Sequence, residues 1–131
     1  RRARAPADRS RRGARARRWR GGPVTWLLVA AGAAVGAPLR YLAGRLLDGG
    51  LPRGTMLANW AGSFLMGLFS GLGLSGHVLA LLGIGFCGAL TTYSGFAFQV
   101  VHGGPRQGTA TAVLTVVPAL ALCWLGFLLG A

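Results

Sequence analysis

Three runs of this chain, residues 55–74, 78–101 and 109–130, contain no Arg, Lys, Asp or Glu. Each is at least about 20 residues long, the length a helix needs to cross bilayer hydrocarbon. A fourth run, residues 24–47, is apolar until Arg40 and Arg45 near its end, where long side chains can snorkel to the interface. No water is available at membrane depth, so backbone groups there must be satisfied within the segment, and these runs read as helices. The composition, 53% hydrophobic and 12% charged, fits a membrane protein rather than a soluble domain around one core. The expected fold is therefore an all-α integral membrane protein with four transmembrane helices per subunit. Its connections, residues 48–54, 75–77 and 102–108, leave no room for an extramembrane domain. The 131 residues divide into an Arg-rich segment, 1–22, and one transmembrane domain, 23–131.

The net charge of +12 is unevenly spread: ten of the 14 basic residues, all Arg, lie in the first 20 positions. A disordered tail at the cytoplasmic membrane surface is the expectation for such a block. A targeting peptide is an alternative, because Ser10-Arg11-Arg12 precedes an apolar run. A nucleic-acid-binding arm is a third, but no folded reader accompanies it, so no nucleic-acid partner is expected. With four spans, Arg40, Arg45, Arg53 and Arg106 fall on the side opposite the N-terminus. The tail residues near the first span outnumber them, so the positive-inside rule predicts a cytoplasmic N-terminus.

What the spans lack bears on mechanism. The only acids are Asp8 in the tail and Asp48 in a connection. General acid–base catalysis has no carboxylate pair and no His–Asp partnership, so an enzyme is not expected. Proton-coupled transport generally needs an intramembrane carboxylate, which is also missing. Cys87 and Cys123 have no metal-ligand spacing and read as small buried hydrophobes. His77 and His102 read as surface residues at helix ends.

The neutral polar groups are arranged. Thr55, Asn59, Ser63 and Ser70, with Met66, share one helical face of the second span. Ser and Thr can bond back to their own helix, but a carboxamide in hydrocarbon is costly without a partner or water. The stripe around Asn59 therefore reads as a cavity or pore lining. Gly32 and Gly36, and Gly67 and Gly71, have the GxxxG spacing that lets helices approach closely. In the third span, Gly83, Gly85, Gly88 and Gly95 combine with the β-branched pair Thr91-Thr92 to predict a broken helix. A break at membrane depth frees carbonyls and amides, which transport proteins use to hold ions.

The stretches GAAVGAPLRY (residues 32–41), GTMLANWAGSFLMG (54–67) and GFCGALTTYSGFAF (85–98) closely resemble, in order and spacing, signature stretches of the CrcB-type (Fluc) fluoride channels. The resemblance runs from about Gly32 to the C-terminus. It implies an antiparallel, inverted dimer of four-helix subunits with two fluoride pores and a structural sodium ion at its centre. Asn59 matches the pore asparagine, Tyr93 and Phe96 the two aromatic residues lining the path, and Ser94 a neighbouring hydroxyl. Thr115 matches a hydroxyl of the polar track, and Arg40 an arginine of the vestibule. Gly88 and Thr91 match the positions whose backbone carbonyls cage sodium. The chemistry is coherent, because aromatic edges are positive, and hydroxyls and amide N–H groups suit the most strongly hydrogen-bonding halide.

The chain also departs from the family pattern. TTFSTFS becomes TTYSGFAF, Ala33 replaces a glycine, Pro118 interrupts the fourth helix, and Ala119 stands where a second hydroxyl is expected. The expectation is a passive fluoride export channel in a bacterial cytoplasmic membrane, surrounded by lipid. Its dimer partner is a second copy or an oppositely oriented homologue. A non-conducting partner subunit and a small exporter of another solute are the alternatives.

Overall fold

A computed structural model describes residues 22–131. The Arg-rich tail and the readings made of it lie outside the described residues, apart from Gly22. The first helix, α1 (Pro23–Leu47), begins with proline in its first turn, where the missing N–H costs nothing. Helix α2 (Arg53–Gly71) follows a short connection. Next come residues 76–90, together α3, in which Leu79–Cys87 is wound in the wider π form. Its signature is the Gly88 N–H donating to the Gly83 carbonyl, five residues back. Helix α4 (Tyr93–His102) and helix α5 (Gly104–Gly130) complete the chain.

Among the described residues, three helical segments are long and apolar enough to cross a membrane: Pro23–Leu47, Gly76–His102 and Gly104–Gly130. The more polar α2 is not among them. Its 19 residues pack against the other helices instead, and they include much of the buried polar surface.

Several boundaries differ from the sequence reading; α2 ends at Gly71 rather than Leu74, and α3 starts at Gly76 rather than Val78. Residues 104–108, expected in a connection, form the start of α5, with Pro105 in its first turn. The chain turns at Gly103 and Gly104, and Gly104 has φ of +72°, which glycine adopts without strain. The second helix begins at Arg53 rather than Thr55.

Glycines set the helix packing. A methyl at Gly32 or Gly36 of α1 would strike the Leu81 or Phe86 carbonyl of α3. A methyl at Gly67 or Gly71 of α2 would strike the Cys123 or Phe127 carbonyl of α5. From the other side, Gly126 and Gly130 of α5 meet the Phe64 and Leu68 carbonyls of α2. The second and fifth helices therefore run parallel, zipped by glycine from both sides. Helices α1 and α3 form a second parallel pair. Gly62 of α2 lies against Thr91 just past α3, and Met66, further along α2, lies against Gly83, earlier in α3, so α2 and α3 run antiparallel.

The core between these pairs is thin and partly polar. Met56, Ala58, Ala80, Cys87 and Leu90 are buried beside Thr55, Asn59, Thr111 and Thr115. Large apolar side chains lie mostly outside, as they do where the surrounding solvent is lipid. Helix α4 has no buried residue.

Candidate functional site at the α3–α4 break

The third helix ends where the sequence predicts. Thr91 and Thr92 are extended, with ψ of 155° and 124°, and α4 starts at Tyr93. Thr92 caps the new helix: its hydroxyl accepts from the Gly95 N–H at 3.1 Å, satisfying a first-turn donor.

Asn59 of α2 holds the break from the side. Its Oδ1 accepts from the Thr92 N–H at 2.8 Å, and its Nδ2 donates to the Thr92 carbonyl at 3.3 Å. In a continuous helix the Thr92 and Gly95 N–H groups would close onto the carbonyls of Gly88 and Thr91. Here both donate elsewhere, the first to Asn59 and the second to the Thr92 hydroxyl. The two carbonyls that the family resemblance implies for a cation are thus the ones whose helical donors the break diverts. Arg40 donates from Nη1 to the Thr91 carbonyl at 3.4 Å, leaving that oxygen one lone pair. Uncharged backbone oxygens of this kind are the right donors for a hard cation.

Three cavities meet at the break. One of about 370 Å³ brings Asn59, Tyr93, Phe96 and Thr115 together, with Ser63 and Thr92. Thr115 is 5% exposed, whereas Tyr93 is 81% exposed, so one wall of this cavity is open. The rings of Tyr93 and Phe96 lie 6.2 Å apart, tilted by 49°. Arg40 and Ser94 line a second cavity of about 550 Å³, with Arg45, Thr55 and Thr92. Gly88 and Thr91 line a third of about 180 Å³, with Ser63 and Met66. The predicted residues therefore divide between compartments: the Asn59 cavity shares Thr92 with the second and Thr91 with the third.

The polar stripe of α2 extends less far than its periodicity implies. Thr55 and Asn59 are buried and Ser63 lines two cavities. Ser70 instead donates to the Met66 carbonyl of its own helix at 2.8 Å.

Two contacts were missed. Asp48 caps α2, its Oδ1 accepting from the N–H groups of Gly54 at 2.7 Å and Thr55 at 3.1 Å. Its Oδ2 accepts from the Thr55 hydroxyl at 2.9 Å. Gln99 of α4 joins this cluster, donating to Thr55 Oγ1 at 3.0 Å. An acid several residues ahead of the helix lacks the usual spacing of a capping box, so only an acid isolated in a membrane chain signalled it. The second is Trp60, whose Nε1 donates to the Leu114 and Thr115 carbonyls at 3.1 and 3.2 Å. Pro118 in the sequence marks the Leu114 carbonyl as lacking its helical donor, but nothing in the sequence marks Trp60 as its partner.

Residues 27–131 match the family described as CrcB-like protein, Camphor Resistance. The chain is 49% identical over 110 residues to the fluoride-specific ion channel FluC 2 of Rhodococcus jostii, covering 79% of this chain and 96% of that protein. It is 43% identical over 115 residues to the fluoride-specific ion channel FluC of Aeromonas salmonicida, covering 81% and 92%. The FluC 1 protein of Streptomyces avermitilis is 39% identical over 115 residues, covering 79% and 93%. These relatives are named as ion channels, not enzymes. The family match, residues 27–131, spans the region that holds the break, its asparagine clamp and the three cavities. The chain is a membrane protein of the CrcB family.

Proposed function

We propose that this chain is a subunit of a passive, fluoride-selective channel that exports fluoride across a bacterial cytoplasmic membrane. The observation that carries the reading is the convergence of Asn59, Tyr93, Phe96 and Thr115 on one cavity beside the helix break. One N–H of the Asn59 amide is committed to Thr92; the amide carries a second, free for an anion. Hydroxyls and positive ring edges can complete the shell that fluoride loses on leaving water. Arg40 and Arg45 around the neighbouring cavity raise the local anion concentration. Asp48 is the one acid among the described residues, and it is engaged in capping α2, so no cavity-lining carboxylate is at hand to couple transport to protons.

In this reading α2 also spans the bilayer, giving four crossings of alternating direction, which the parallel and antiparallel packing supports. The functional unit is an antiparallel dimer with a second copy or an oppositely oriented homologue, and the N-terminus lies in the cytoplasm. The open wall at Tyr93 is consistent with a partner completing the path. The Gly88 and Thr91 carbonyls would hold a structural sodium ion, which would supply a fixed positive charge at the dimer centre.

A growth assay tests the proposal. Cells lacking their own fluoride exporter, expressing this chain, should grow at fluoride concentrations that stop the empty-vector strain. Membrane-inserted chain that gives no resistance, either alone or co-expressed with an oppositely oriented homologue, would overturn it.

A further inference from the structure

Helix α5 contains Pro118 within its run. Proline has no N–H, so the Leu114 carbonyl, one turn earlier, loses its helical donor. At membrane depth such a group must find another partner. Trp60 supplies it, donating from Nε1 to the Leu114 carbonyl at 3.1 Å and the Thr115 carbonyl at 3.2 Å. The side chain of that same Thr115 is buried and lines the cavity that Asn59 lines. Adjacent residues of α2 thus hold both sides of the cavity: Asn59 fixes the Thr92 peptide, and Trp60 fixes the α5 backbone at Thr115.

We infer that Trp60 is a positioning residue for the anion path, holding Thr115 at its place opposite the α3–α4 break through its own carbonyl and the Leu114 carbonyl that Pro118 leaves without a helical donor. This rests on the reading of the Asn59 cavity as a fluoride path. The indole is suited to the task because it is a rigid ring with a single donor and no acceptor. A tryptophan serving only as packing surface would be indifferent to the hydrogen-bonding state of Leu114. It would be equally indifferent to the Thr115 hydroxyl.

A mutant cycle on the purified full chain in liposomes separates the two roles. Trp60→Phe should lower fluoride flux about three- to tenfold, the scale of one interhelical hydrogen bond in a membrane. In the Pro118→Ala background, where residue 118 regains its N–H, the same change should cost no more than about twofold. In the Thr115→Val background, Trp60→Phe should likewise add little to the loss already present. Should Trp60→Phe not fold, the sulfur isostere of tryptophan at position 60, which keeps the ring and loses only the N–H, takes its place in every arm. Equal fold losses in all backgrounds, or wild-type flux without the N–H, would overturn the positioning role while leaving the channel reading intact. A wild-type chain that passes no fluoride, alone or with an oppositely oriented homologue, would overturn both.

Discussion

Asn59 grips the Thr92 peptide at both ends, accepting its N–H at 2.8 Å and donating to its carbonyl at 3.3 Å. The carboxamide thereby replaces the helical acceptor that the Thr92 N–H gives up and adds a donor to the carbonyl that starts α4, which lets the chain stay broken at membrane depth. It also ties α2 to the break, where the cavity Asn59 lines adjoins the other two. A residue in that position serves the fold and the anion path together, and substitutions can separate the two uses.

Asn59→Asp keeps the acceptor for the Thr92 N–H but loses both donors, and it sets a negative charge in the path. Fluoride flux should fall to background while the protein still purifies as a folded species. Asn59→Ala loses both contacts and should also cost roughly 1–3 kcal/mol of stability. Flux assays paired with thermal melting check this. Normal flux from folded Asn59→Asp would remove Asn59 from the path.

The aromatic pair predicts a different pattern. Phe96→Ile removes a positive ring edge while keeping an apolar side chain, and should cut fluoride flux at least about tenfold. Tyr93→Phe keeps the edge and should conduct within about threefold of wild type. The comparison is made by fluoride-electrode recordings on matched liposomes. Wild-type flux from Phe96→Ile would leave the rings with a packing role only.

Asp48 is expected to matter for stability through the start of α2. Asp48→Ala removes the acceptor for the Gly54 and Thr55 N–H groups and should destabilise the protein by roughly 1 kcal/mol, as lost caps do. Asp48→Asn, which retains one acceptor, should cost less. Melting temperatures in detergent give the order; an Asp48→Ala protein as stable as wild type would show that the cap is unimportant.

The glycine zipper makes a prediction about assembly of the fold. A side chain at Gly67 has no room against the Cys123 carbonyl, so Gly67→Leu must push α2 and α5 apart. The expected cost is at least about 1–3 kcal/mol, seen as a lower melting temperature and poorer recovery of folded protein. Gly50, which has open space around it, is the control, and Gly50→Ala should be near neutral.

The sequence exposed what depends on composition and local chemistry. Apolar runs declared the helices, and the cluster of glycines with Thr91-Thr92 declared the break, because both follow from what a backbone can tolerate in lipid. The costly carboxamide of Asn59 pointed to a partner without saying which one. Thr92 is the partner because α2 and α3 run antiparallel, a tertiary fact. Residues 104–108 looked like a connection because they are polar and contain Pro105, yet proline is favourable in a helical first turn. Ser70 shares the spacing of the stripe but lies at the far end of α2 from the break, so its hydroxyl turns back on its own helix. Trp60 and Asp48 act through carbonyls and amides of other segments, and such contacts leave no periodic trace.

The most direct measurement is efflux from liposomes containing only this purified chain, loaded in parallel with potassium fluoride and potassium chloride, with Asn59→Asp as the paired control. The account predicts rapid fluoride release from the wild type, little chloride release, and no fluoride release from the Asn59→Asp protein. Equal release of both halides, or fluoride release unchanged by Asn59→Asp, would contradict it.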